Sequence, residues 1–77
     1  MDLNTFIKQM ADQFDNSSDV EFKAETIFKE IDEYSSLTAL NIISMIDDEY
    51  DVYLKGDDIR SSNTIEELFE RIKQRIE

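Results

Sequence analysis

The sequence predicts an all-α protein: a small four-helix bundle with three main helices, one short helix and a long first loop. Its 77 residues contain no proline and a single glycine, Gly56, which favours long helices over a turn-rich β fold. Three stretches also repeat apolar residues with the spacing of one helix face. A chain of this length forms one domain, here residues 1–77.

The three main helices are each predicted from an apolar stripe. Asp2 caps the first, Ser35-Ser36 begins the second, which ends before Gly56, and Thr64 with Glu67 forms a capping box at the start of the last. The stripes are, in chain order, Leu3, Phe6, Ile7, Met10 and Phe14; Leu37, Leu40, Ile43, Met45, Ile46 and Tyr50; and Ile65, Leu68, Phe69, Ile72 and Ile76.

The connections are predicted to contain two short helical segments. Residues 15–35 are a long first loop, in which residues 24–31 form a helical turn. Apolar residues of this loop are expected to pack over the bundle: Val20, Phe22, Ile27, Phe28 and Ile31. Residues 56–60 form the short helix, with Ile59 facing inward.

Composition excludes several classes of function. With 19 acidic and 8 basic side chains, the net charge of −11 argues against nucleic acid and anionic membranes as partners. The chain has no Cys and no His, which excludes disulfides, thiol nucleophiles, zinc sites and His-based catalysis. No apolar run approaches a membrane span or a signal peptide. We therefore expect a soluble, cytoplasmic protein that is not an enzyme and has no catalytic residues.

The acidic charge is concentrated at the end of the second predicted helix, in Asp47, Asp48, Glu49 and Asp51. Carboxylates at a helix C-terminus oppose the helix dipole, so local stability does not explain them. They form either a solvated surface or a docking surface for basic partners. A calcium loop would need Gly and Glu where this chain has Val52 and Asp58, so no metal site is expected.

A pair of serines, Ser35 and Ser36, stands at the start of the second helix and is followed by Leu37. One serine can serve as the N-cap. A hydroxyl in the first turn also lies beside free amides and the positive helix end, which stabilise an attached phosphodiester. The chain contains no histidine to activate such a serine. Chemistry at this hydroxyl would therefore be performed by another protein.

The chain resembles the acyl carrier proteins, which carry phosphopantetheine, over most of its length. Ser36-Leu37 matches the serine–leucine pair that begins the family's second helix. Residues 45–50, with the sequence Met-Ile-Asp-Asp-Glu-Tyr, match its apolar helix end followed by acids and an aromatic residue. Residues 51–54 resemble the extended segment that follows, and residues 63–65 resemble the turn before the last helix. Phe28 matches a loop aromatic residue.

The sequence also departs from the family's pattern. Ser35 replaces the Asp that usually precedes the modified serine, and Glu33-Tyr34 replaces a glycine-containing pair. Asn41 and Ser44 replace an acid and a larger apolar residue. The resemblance therefore implies a specialised carrier rather than the housekeeping member of fatty acid biosynthesis.

The resemblance implies a function for Ser36. A phosphopantetheinyl transferase would attach 4′-phosphopantetheine covalently to it. The thiol of that group would hold an acyl or aminoacyl group as a thioester, in fatty acid, polyketide or other secondary-metabolite biosynthesis. The chain would act as a monomer, with Leu37, Leu40 and Leu54 flanking the arm. Basic patches on acyl-loading and acyl-using enzymes would meet a docking set: Leu37, Asp47, Asp48, Glu49, Leu54, Asp57 and Asp58. The alternative is an acidic helical interaction module without a prosthetic group.

Overall fold

A computed structural model describes residues 2–14 and 21–76. Its α-helices are α1 (Leu3–Ala11), α2 (Ser36–Tyr50), α3 (Gly56–Arg60) and α4 (Ile65–Ile76), with a 3-10 turn at Phe28–Glu30 before α2. The expected all-α bundle of three main helices and one short helix is thus confirmed. None of the helices in these two ranges is long and apolar enough to cross a membrane.

Helix α1 begins at the predicted cap. The carboxylate of Asp2 accepts hydrogen bonds from the Thr5 hydroxyl at 2.9 Å and the Thr5 amide at 3.2 Å. These bonds lower the pKa of Asp2. The helix ends at Ala11 rather than extending through the whole apolar stripe. A following turn, in which the amide of Phe14 donates to Ala11, still buries the Phe14 ring.

Helix α2 ends at Tyr50, the last residue of its predicted stripe, but it buries a different face. It stops at Tyr50 because Asp51 takes the left-handed conformation (φ 57°) that commonly ends helices. Its buried residues are Thr38, Ile42, Met45 and Ile46. Leu37 and Leu40 were expected on that face but are 67% and 62% exposed. Positions 38, 42, 45 and 46 follow the i, i+4, i+7, i+8 spacing of one face, which places Leu37 and Leu40 away from it.

The described part of the first loop is attached to the bundle by aromatic packing and by α4. Phe28 is fully buried, and its ring lies 6.0 Å from that of Tyr34 in an edge-to-face arrangement. The amide of Ile65 donates to Thr26 at 3.1 Å. The helical segment is only the three-residue 3-10 turn, shorter than the predicted residues 24–31. Val20 lies outside the described residues, and Ile27 is 41% exposed rather than packed.

Helix α4 has the predicted capping box and supplies most of its stripe to the core. Glu67 donates its amide to the Thr64 hydroxyl at 3.1 Å, and its carboxylate accepts from the Asn63 amide at 2.7 Å. The Phe69 ring packs 5.4 Å from that of Phe6 in α1. Of the predicted stripe, Ile76 alone is largely exposed, at 49%.

Candidate functional site

The two serines at the start of α2 have different environments. Ser35 is the N-cap: its Oγ accepts from the Thr38 amide at 3.3 Å and lies 3.2 Å from the Thr38 hydroxyl. The Thr38 hydroxyl donates to the carbonyl of Glu33 at 3.1 Å. Ser36 is the first residue of the helix and is exposed. Within residues 2–14 and 21–76, none of the side-chain hydrogen bonds uses the Oγ of Ser36.

This arrangement leaves the Ser36 hydroxyl accessible from solvent at the amino end of a 15-residue helix. The first amides of a helix have no partner in the preceding turn, and the helix dipole is positive there. An anion bonded to this oxygen would be stabilised by both. Because Ser35 serves as the cap, a substituent on Ser36 would not disrupt the start of α2.

Exposed apolar side chains follow this serine on α2 and on the segment after α2. Leu37 and Leu40 lie on α2, and Tyr53, in the segment between α2 and α3, is 68% exposed. Leu54 was expected to join them, but it is fully buried in the core. The reason is the alternation of an extended segment, in which Val52 and Leu54 point inward and Tyr53 outward. Sequence reasoning missed Tyr53, although this two-residue alternation could have indicated it.

A groove of about 550 Å³ begins at Ser36. One side is α2, through Leu40 and Ile43, and the other is formed by residues 53–56, 59 and 60. Its apolar lining includes Leu54 and Ile59, which are 0% and 2% exposed. Tyr34 also lines the groove; it is half-buried, and this burial raises the pKa of its hydroxyl. Grooves of this size bind small molecules or the ends of flexible chains.

The acidic residues predicted to dock partners fall into two groups. Asp47, Asp48 and Glu49 are exposed in the last turn of α2, and no ion pair within the described ranges involves them. Asp57 is also exposed, and its carboxylate pairs with Arg60. All four of these residues are exposed.

Asp58 differs, because it is only 8% exposed. Its Oδ2 accepts the Lys55 amide at 2.9 Å and its Oδ1 accepts from Arg75 at 2.7 Å. Arg71 lies 3.6 Å from the same Oδ1. The bond from the Lys55 amide is the largest cause of the lowered pKa of Asp58, and Arg75 and Arg71 add to it. Asp58 therefore joins α3 to α4 and is not a surface docking residue, contrary to the sequence-based expectation.

The fold and the site together define a small acidic helical bundle with an accessible serine at the head of α2. No protein-family model, curated protein or solved structure matches this chain. Within the described ranges, no group of three or more carboxylates is arranged to hold a metal ion.

Proposed function

We propose that this protein is an acyl carrier modified at Ser36. The single observation that carries the proposal is that the two adjacent serines have different structural roles. Ser35 makes the capping hydrogen bonds, while the Ser36 hydroxyl is exposed and unbonded among the described residues. The chain offers no histidine to use that hydroxyl in its own chemistry. A hydroxyl that is accessible but not activated suits modification by a second protein.

The residues around Ser36 fit a phosphopantetheine group. In the attachment reaction, the Ser36 oxygen forms a bond to the phosphorus of coenzyme A that carries pantetheine. The pyrophosphate bond breaks, adenosine 3′,5′-bisphosphate leaves, and the hydroxyl proton passes to a base of the transferase. The resulting phosphodiester would be held at the amino end of α2, where free amides favour a negative charge. When bound, the group supplies a thiol that holds an acyl or aminoacyl cargo as a thioester.

Partner enzymes would recognise both charge and apolar surface near this serine. Asp47, Asp48 and Glu49 at the end of α2 give a local negative field that speeds encounter with a basic patch. Leu37 and Leu40, exposed on the same helix, supply apolar contacts at the centre of such an interface. Leu54 and Asp58 are left out of this surface because both are buried.

The test uses the full chain, coenzyme A and a broad-specificity phosphopantetheinyl transferase, with intact mass as the readout. We expect a gain of one phosphopantetheine in the wild type and in Ser35→Ala, and no gain in Ser36→Ala. These two variants are matched, because each removes one of two neighbouring hydroxyls.

The absence of any gain in the wild type would overturn the proposal and favour the acidic interaction module without a prosthetic group. A mass gain that is retained in Ser36→Ala but lost in Ser35→Ala would assign the attachment site to Ser35. Circular dichroism of both variants confirms that an unmodified sample is still helical.

A further inference from the structure

The groove beside Ser36 differs in charge from two other clefts of the described residues. Its eleven described lining residues include two bases, Lys55 and Arg60, and no acid. This is unexpected for a chain with 19 acids and 8 bases. A second cleft, along α4, is lined by three glutamates and one arginine, and a third, beside α2, by an aspartate and a glutamate. Of these three clefts, the groove at Ser36 is the one suited to an anionic ligand.

Lys55 supplies the available cation of this groove. It is exposed, and none of the ion pairs within residues 2–14 and 21–76 involves its ammonium group. Its backbone is held by the bond from its amide to Asp58. Arg60, in contrast, is partly neutralised by Asp57. Lys29 adds positive charge nearby, since its Nζ donates to the carbonyl of Arg60 at 2.7 Å.

The groove combines these bases with an apolar lining. Leu40 and Ile43 from α2 line it together with Leu54 and Ile59. Such a lining accepts methylene groups, whereas a carboxylate placed among them would need a charged partner. An amphipathic chain with an anionic end satisfies both requirements, because its methylene groups can contact the apolar residues while its charge pairs with Lys55.

We propose that this groove selects a cargo with a free carboxylate, a dicarboxylic acyl group bound through its other end, and that Lys55 determines this selectivity. The inference rests on the proposed attachment at Ser36. Ser36 and Lys55 line the same groove, so the arm's own phosphodiester is the competing partner for Lys55, and the experiment below distinguishes the two.

The experiment compares two cargoes of six carbons that differ in one terminal carboxylate. The transferase loads the chain from adipoyl-coenzyme A or hexanoyl-coenzyme A, and intact mass confirms loading. Hydroxylamine then cleaves the thioester. The cleavage rate measured on the protein is divided by the cleavage rate of the same thioester on free coenzyme A. We expect adipoyl to be cleaved about two- to fivefold more slowly than hexanoyl, the range that one partly exposed ion pair supports. Lys55→Gln should remove the difference.

Lys8→Gln is the matched control, because Lys8 is an exposed lysine on α1 outside the groove; it should retain the difference. Equal cleavage of the two cargoes on the wild type, or equal effects of Lys55→Gln and Lys8→Gln, would overturn the inference. So would a Lys55→Gln effect of the same size on both cargoes, which would assign the lysine to the phosphodiester. If mass analysis shows no loading, the proposed function fails, and this is known before hydroxylamine is added.

Discussion

Replacing Asp58 with asparagine is expected to weaken the attachment of α3 to α4. The carboxylate uses one oxygen for the Lys55 amide at 2.9 Å and the other for Arg75 at 2.7 Å, with Arg71 at 3.6 Å. Asparagine has nearly the same shape and a similar helix propensity. It offers one acceptor atom instead of two and carries no charge. The substitution therefore removes the charge and one acceptor while keeping the shape of the side chain.

The magnitude follows from the two hydrogen bonds. Bonds to a charged group contribute about 1.5–3 kcal/mol, against about 0.5–1.5 kcal/mol for neutral ones. Arg75 is 44% exposed and can return to water, so its share belongs at the low end. We expect the free energy of unfolding to fall by about 1.5–2.5 kcal/mol, from a total of about 4–12 kcal/mol for a chain of this length. The midpoint of thermal unfolding should fall by about 6–20 °C.

The assay is thermal and urea unfolding followed by circular dichroism, with Asp57→Asn as the control. Asp57 is the neighbouring residue, but its side chain is 84% exposed and pairs only with Arg60 among the described residues. Its replacement should change the free energy of unfolding by less than about 0.5 kcal/mol. Equal stability of the two variants at neutral pH would refute the assignment of Asp58 as the link between α3 and α4.

The stability lost in Asp58→Asn is also expected to depend on pH. The folded-state pKa of Asp58 is lowered, so its contribution is complete above the unfolded pKa of about 3.9 and is lost as pH falls through the folded value. Arg71 and Arg75 stay charged throughout this range. The difference in the free energy of unfolding between wild type and Asp58→Asn should therefore be constant from neutral pH to about pH 4. Below about pH 4 this difference should shrink toward zero. A gap that widened in acid would contradict this linkage.

Two further predictions concern α2. Ser35→Ala should lower the free energy of unfolding by about 1 kcal/mol because it removes the N-cap, whereas Ser36→Ala should change it by less than about 0.5 kcal/mol. If urea unfolding showed Ser36→Ala to be the less stable variant, Ser36 would be the cap. Replacing Asp47 and Asp48 together with Lys should slow modification by the transferase several-fold without destabilising the fold. The control replaces Asp12 and Glu25, exposed residues outside α2, with Lys, and it should slow modification less. Equal slowing would show that net charge, and not a docking surface, sets the modification rate.

Much of the fold could be predicted because its signals are local. The cap at Asp2 and the box formed by Thr64 and Glu67 involve residues three positions apart, so both are visible in the chain. The face of α2 was not predictable in this way. Apolar residues occupy so many of its positions that the pattern allows more than one buried face. Thr38 is buried because its hydroxyl finds the carbonyl of Glu33, a partner that the apolar pattern does not reveal.

In the candidate site, too, some features were predictable from the sequence and others were decided by the tertiary structure. The accessible serine, the acids at the end of α2 and the lack of a residue to activate the hydroxyl were all read from residue types and spacing. Asp58 was assigned to the surface because its partners, Arg71 and Arg75, lie 13 and 17 residues away. The interior position of Leu54 likewise emerges only from the path of the segment between α2 and α3.

Residue order alone established an acidic helical bundle with two serines at the head of its second helix, because periodicity, caps and charge are properties of neighbouring residues. Folding assigned the cap to Ser35 and left Ser36 exposed. It also assembled a groove with two bases and no acid among its described lining residues. Its walls come from separate parts of the chain, and which side chains meet there depends on how the helices pack.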